Sequence, residues 1–256
     1  MFAEIDGCTF YYSSYGEGPP VVFVHGLGGC ANVWYGVMQI LRDHHHVIAL
    51  DLRGHGRSDG KGRFSVEGWA NDVRGLIHHL ELPAVTLVGH SLGSLVTQHL
   101  AQTEPDLCDV LVLIGGISYY QPPAADSYRE RAEVVERDGM EAVVDDWLDG
   151  AVSPQSYAAM PGAVGLLKEM FLRNDPVMYA KSCRALAKAP HVKRGEIGQP
   201  SLIIVGAHDR STPLAMAEEL HRDIPVSRVR VIPHAGHWLP VENPGAIAAT
   251  ILEFLI

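Results

Sequence analysis

Positive charge is scarce in this sequence: 20 lysines and arginines stand against 30 aspartates and glutamates, a formal net charge of −10. A nucleic-acid partner needs a basic face to meet its phosphates, so this balance argues against one; a small molecule meets only a local field. Long apolar runs are missing too. None approaches the roughly 18 residues of a membrane span, so no membrane partner is expected. The opening MFAEIDGCTF lacks the basic and apolar regions of a secretion signal. Cysteine is sparse, and Cys8, Cys30, Cys108 and Cys183 are scattered without metal-ligand spacing. That pattern points to reduced thiols in a cytoplasmic protein and to no bound metal.

What is present describes a folded chain. Apolar residues make up 47% and charged residues 20% of 256 positions, enough for one large domain, or for a core with an inserted subdomain. Residues 2–5 and 9–12 read as a hairpin turning near Asp6-Gly7. Short β-branched runs recur at VVFVHG, HVIALDLRG, VTLVGHS, DVLVLIGG, SLIIVGAHD and RVRVIPHAGH. They are continuous rather than alternating, as in strands buried on both faces. Helical patterns fill 31–42, 66–81, 92–103, 213–222 and 243–255. Alternating strand and helix predicts an α/β fold, a mostly parallel, doubly wound sheet. Residues 117–195 hold no strand pattern and read as helices broken by proline and glycine. The expected organisation is therefore a core of 1–116 and 196–256 with an inserted helical cap at 117–195.

Within that rhythm, VTLVGHSLGSLVTQHL places Ser91 at a corner between a strand and a helix, with Gly89 and Gly93 two positions to each side. A turn this sharp needs a strained residue at its apex and no side-chain bulk beside it. It lifts the serine oxygen above the carboxyl ends of the strands, in front of a helix N-terminus. His25-Gly26-Leu27-Gly28-Gly29 follows another core strand. It is not G-x-G-x-x-G, and no Gly-Lys-Ser/Thr follows, so a phosphate loop is disfavoured and no cofactor is expected. Such a loop turns a backbone N–H into a pocket; Leu27 is the candidate oxyanion donor, with Leu92 as its partner. Asp209 and His237 each fall just past a strand. A serine hydroxyl needs a base within reach, and the base needs an acid to fix its tautomer, which makes Ser91, Asp209 and His237 the candidate catalytic residues. Asp51 and Asp59 are alternatives for the acid. Of the other histidines, His90 reads as packing for the corner, His234 as a loop-shaping residue, His208 as pointing away from Asp209, and His44, His45 and His46 as a solvated loop.

Together HGLGG, DLRGHGRSD, GHSLGS, GAHDRSTP and HAGHWLPVENP resemble the serine-nucleophile branch of the α/β-hydrolase fold family, along the whole chain. The resemblance implies Ser91 as nucleophile, Asp209 as acid, His237 as base and the Leu27 and Leu92 N–H groups as oxyanion donors. It implies structural roles for Arg53, His55 and Ser58. RDGMEAVVDDWL and LRNDPVMYAKSCRALA resemble the cap of 3-oxoadipate enol-lactone hydrolases, which implies a cofactor-free enzyme opening a small lactone that carries a free carboxylate. Carboxylesterases, N-acyl-homoserine lactonases and carbon–carbon-bond hydrolases share most of these motifs. Perhydrolysis on the same triad and a non-catalytic receptor are further alternatives. Residues 168–188 hold five basic and two acidic side chains. Arg173 and Arg184 there are candidates for gripping a substrate carboxylate, against the alternative of a solvated helix face. Trp147, Met170, Phe171 and Tyr179 are candidates for an apolar pocket wall, with core packing as the alternative.

Overall fold

The turn residues and the β-branched runs account for the sheet. Asp6 (φ 50°) and Gly7 (φ 74°) both take left-handed conformations. They form a two-residue hairpin between β1 (Phe2–Ile5) and β2 (Cys8–Tyr15), with Ile5 opposite Cys8. In the computed structural model, which describes residues 1–118, 122–189, 192 and 194–256, six further strands follow. They are β3 (Pro20–Val24), β4 (His46–Leu50), β5 (Val85–His90), β6 (Cys108–Ile114), β7 (Ser201–Gly206) and β8 (Ser227–Ile232). The sheet order is β1-β2-β4-β3-β5-β6-β7-β8. β2 runs antiparallel to β4, and β3 to β8 are mutually parallel. Every residue of β5 and β7 is buried, as their unbroken apolar runs predict. β8 differs because it is the edge: its two arginines face outward, and its pattern alternates.

Several helices begin at a proline or a capping side chain. A 3₁₀ turn, Ala31–Trp34, leads into α1 (Tyr35–Leu41), so the single helix expected at 31–42 is split. α2 (Val66–His79) starts at Ser65, whose hydroxyl accepts from the Gly68 N–H at 3.0 Å. α3 (Leu92–Thr103) follows Ser91. Between β6 and β7 lie only helices among the described residues: α4 (Pro122–Asp138), α5 (Glu141–Ala151), α6 (Pro154–Ala159), α7 (Pro161–Leu172) and α8 (Pro176–Leu186), then a 3₁₀ turn at Arg194–Glu196. Proline at the first helical position forfeits an N–H that has no partner there anyway. The Asp175 carboxylate caps α8 by accepting from Val177 and Met178. The expected span 117–195 includes residues 119–121, 190, 191 and 193, which lie outside the described residues. α9 (Leu214–Asp223), α10 (Leu239–Glu242) and α11 (Pro244–Leu255) complete the chain. Among the described residues no helix is long and apolar enough to cross a membrane.

One close approach fixes how α3 meets the sheet. A Cβ on Gly93 falls onto the Val24 carbonyl oxygen and 2.8 Å from the His25 oxygen. Both acceptors are backbone at the end of β3, which cannot yield without losing its pairing. Gly93→Ala should therefore cost about 2–3 kcal/mol or more, lowering Tm by at least about 5 °C. Gly245→Ala in α11, where nothing lies within 4 Å, is the control and should change little. Equal melting temperatures for the two variants in a calorimetric scan would contradict this packing.

Candidate active site

The corner at residues 89–93 takes the form that its glycines require. Ser91 sits at φ 52°, ψ −116°, a strained backbone for a residue with a side chain. It is held from both sides. The Ser91 N–H donates to the Ile114 carbonyl at 3.0 Å, and the Ser91 carbonyl accepts from the N–H and hydroxyl of Ser94 at 2.8 and 2.6 Å. Ser94 Oγ in turn accepts from the Ile117 N–H at 3.0 Å. A Cβ on Gly89 would strike Thr97 Oγ1 and the Gly93 carbonyl, so both glycines are steric requirements.

Asp209, just past β7, and His237, past β8, come together across 28 positions. His237 Nδ1 donates to Asp209 Oδ2 at 2.9 Å. The same carboxylate accepts from the Thr212 hydroxyl at 2.8 Å and from the N–H groups of Ser211 and Thr212 at 2.9 and 2.8 Å. Burial alone would raise the Asp209 carboxyl, but the charge interaction and hydrogen bond with His237, together with those from Thr212, outweigh it and hold it below the usual carboxylate value. With Nδ1–H committed to the carboxylate, Nε2 is left as an acceptor. The alternative acids are engaged elsewhere. Asp51 accepts from the N–H groups of Ala31 and Arg57 at 2.6 and 2.9 Å, and Asp59 from that of Thr9 at 3.1 Å.

The glycine loop after β3 closes on this corner. A Cβ on Gly26 would lie 3.0 Å from Ser91 Cβ. Leu27 faces the same cavity as Ser91, and Leu92 opens α3, whose first N–H groups have no intrahelical partner. His25 Nε2 accepts from the Leu52 N–H at 2.9 Å while Nδ1 donates to the Gly26 carbonyl at 2.8 Å. His90 Nε2 donates to the His237 carbonyl at 2.8 Å. Burial pushes His25 down to about 4 and both His55 and His90 to about 3. His46 opens β4 and hydrogen-bonds Ser14 at 2.8 Å, while His208 and His234 are exposed, the latter at φ 60°.

Ser91 and His237 line one cavity of about 310 Å³ with Leu27, Trp147, Met216 and Trp238. Trp147 thus reaches the site, stacked on Phe171 at 4.1 Å. Arg173 and Arg184 do not. Arg173 is 81% exposed, pairs with Glu169 at 3.5 Å and borders a separate cavity of about 200 Å³ beside Asp51 and Arg57. Arg184, on α8, makes a two-pronged pair with Glu136 of α4 at 2.5 Å. Each expected anion-binding arginine already has a carboxylate neighbour. Instead, Arg131 and Arg210 line the cavity. Arg131 had a signal in the sequence: it lies three residues after Tyr128 and four before Val135, so it interrupts the apolar face of α4. Arg210 follows Asp209 directly and had none.

Comparison with known proteins matches residues 19–138 and 172–244 to the family model described as alpha/beta hydrolase fold. The chain is 28% identical to the (E)-2-((N-methylformamido)methylene)succinate hydrolase of Acinetobacter baylyi, over 96% of this chain and 94% of that one. Among solved structures it is similar to a thermophilic esterase from Thermogutta terrifontis with malate bound (TM-score 0.95, 28% identity, 100% of this chain and 98% of that one). It is also similar to the enol-lactonase of Burkholderia xenovorans (TM-score 0.94, 26% identity, 100% and 99%).

The three buried neutral histidines make the site acid-sensitive. Unfolded, each takes a proton near pH 6.5; folded, each resists until about pH 4 to 3. Below pH 6.5 the unfolded state therefore binds more protons, and stability falls with falling pH, by on the order of 2 kcal/mol per histidine at pH 5. A melting series should show Tm dropping by at least about 8 °C between pH 7.5 and 5. A flat profile over that window would contradict the neutral assignment.

Proposed function

The chain belongs to the α/β-hydrolase fold family, and on that premise we propose that it is a cofactor-free serine hydrolase cleaving a carboxylic ester or lactone through an acyl-enzyme. The observation that carries this reading is the Asp209–His237 hydrogen bond of 2.9 Å at the cavity that Ser91 also lines. His237 Nε2 takes the Ser91 proton, and Ser91 Oγ attacks the acyl carbon. The tetrahedral oxyanion is held by the N–H groups of Leu27 and Leu92, each worth on the order of a hundredfold or more in rate. His237 then protonates the leaving alkoxide; for a lactone that oxygen stays tethered to the acyl group. Water, activated by the same imidazole, releases the acid. Asp209 keeps Nδ1 protonated and stabilises the imidazolium. Relatives named as an esterase and an enol-lactonase support both bond types. Helices α4–α8 act as a cap, at 117–195, over a core of 1–116 and 196–256, and Trp147 forms part of the apolar wall against the acyl group. Four free thiols suit a cytoplasmic setting.

Proton release at constant pH tests this directly, with a short aryl ester, a neutral lactone, an acyl homoserine lactone and a carboxylated enol-lactone as substrates. At least one should turn over, and Ser91→Ala should lose about 10⁴-fold or more in kcat with its circular dichroism unchanged. Full turnover by Ser91→Ala at equal purity would refute the nucleophile.

A further inference from the structure

The glycine loop after β3 is a turn with two anchors. The Gly29 N–H donates to the Gly26 carbonyl at 3.0 Å, and Gly28 lies at φ 76°. Gly28 is thus the third residue of a four-residue turn, at the position that calls for glycine. Leu27, the second residue, keeps its N–H outside the turn's own hydrogen bond. The Gly26 carbonyl is held from within the core, since it also accepts from His25 Nδ1 at 2.8 Å. The Gly28 carbonyl is held from outside it. It accepts from Asn174 Nδ2 at 2.9 Å, across 146 positions, and Asn174 lies between α7 and α8. The same two helices press on Gly28 itself: a Cβ there would lie 2.9 Å from Phe171 and 3.1 Å from Tyr179.

Asn174 is 7% exposed, and its Oδ1 has no hydrogen-bond partner among the described residues. An amide oxygen buried without a donor is a cost. The nitrogen side explains why the amide is turned this way. Nδ2 also donates to the Phe171 and Met170 carbonyls at 2.8 and 3.3 Å, so the opposite orientation would set oxygen against three carbonyls. Ending α7 does not by itself require this side chain. The Arg173 N–H reaches the Glu169 carbonyl at 3.2 Å, and Asn174's own N–H reaches that of Phe171 at 3.2 Å. What the amide adds is the contact with Gly28. That contact matters because Gly26-Leu27-Gly28-Gly29 has three glycines in four positions, a backbone with little stiffness of its own. An oxyanion donor works only if it is fixed in place before the charge develops.

We propose that Asn174 is a positioning residue for the oxyanion donor: by holding the Gly28 carbonyl from between α7 and α8, it fixes the turn that presents the Leu27 N–H to the tetrahedral intermediate. The proposal rests on the serine-hydrolase reading for the role of Leu27; the hold on the turn is independent of the chemistry. Asn174 touches no reacting atom, and its effect on rate runs through the turn alone.

The test uses Asn174→Asp, which keeps the shape and replaces the donor by an acceptor, and Asn174→Leu, which removes both. The control is Asp175→Ala, which strips the N-terminal cap of α8 next door without touching the glycine loop. With 4-nitrophenyl acetate, both Asn174 variants should lose about 10- to 100-fold in kcat and equally in kcat/KM, so that KM stays put. Phenylboronic acid adds reversibly to an activated serine and imitates the tetrahedral intermediate. Its inhibition constant should rise by about the same factor. The control should lower Tm but leave both quantities unchanged. A second readout needs no turnover. The Gly29 amide, bonded within the turn, should exchange its hydrogen at least about tenfold faster in the Asn174 variants than in wild type or control. Unchanged boronate affinity, an equal loss in Asp175→Ala, or unchanged Gly29 exchange would each overturn the proposal, while Ser91-dependent turnover by the wild type leaves the hydrolase reading standing. Conversely, Asn174-dependent Gly29 exchange in a protein that neither turns over the ester nor binds the boronate would sustain the hold on the turn and sink the hydrolase reading.

Discussion

The arrangement of this molecule depends on one steric fact, the approach of Gly93 to the carbonyls of Val24 and His25. It lets α3 start directly off β5 while β3 passes alongside, and it forces the residue between them into the left-handed backbone of Ser91. Strain at a single apex persists because everything around it is tied down: Ile114, Ser94 and Ile117 lock the corner to the end of β6 through backbone and hydroxyl hydrogen bonds. The parallel sheet then brings the loops after β3, β7 and β8 to the same edge, where parallel sheets place their ligands. Ser91 is thus set by packing, while topology brings Asp209 and His237 to the same edge.

A second constraint ties the helical insertion to the loop of His237. The buried Glu242 carboxylate accepts from the Ser153 N–H at 3.0 Å, the Ser156 hydroxyl at 2.8 Å and the Gly236 N–H at 2.9 Å. Ser153 Oγ donates to the His234 carbonyl at 2.7 Å, and the His237 N–H to the Ala151 carbonyl at 2.7 Å. The start of α6 and the histidine loop are therefore one hydrogen-bonded unit. On the other side, Asn174 donates to the Gly28 carbonyl at 2.9 Å, and Phe171 packs on Gly28. The helices between β6 and β7 thus hold both the His237 loop and the glycine loop in place.

Much of this was legible in the sequence because it is written locally. Continuous β-branched runs mark strands buried on both faces, the Gly-x-Ser-x-Gly frame marks the corner, and Asp6-Gly7 marks the hairpin. The pairing of Asp209 with His237 was legible from their positions after strands, since topology brings strand ends together. What escaped depends on neighbours distant in the chain. The local excess of basic charge at 168–188 points to Arg173 and Arg184, but Arg184 pairs with Glu136, 48 positions away, once α4 packs on α8, and Arg173 pairs with Glu169 four residues before it. Arg131, which lines the cavity, stands in an acidic stretch, so local charge does not single it out. Glu242 was hidden because a buried carboxylate with three backbone and hydroxyl donors looks, in sequence, like any surface glutamate at the start of a helix.

The most direct measurement is covalent labelling by an activated aryl phosphonate, read by intact mass and peptide mapping. A serine activated by the Asp209–His237 pair should take up one equivalent, on the peptide containing Ser91, and His237→Ala should slow the labelling by several orders of magnitude. Labelling at another residue, or labelling of Ser91 that is indifferent to His237, would contradict the account.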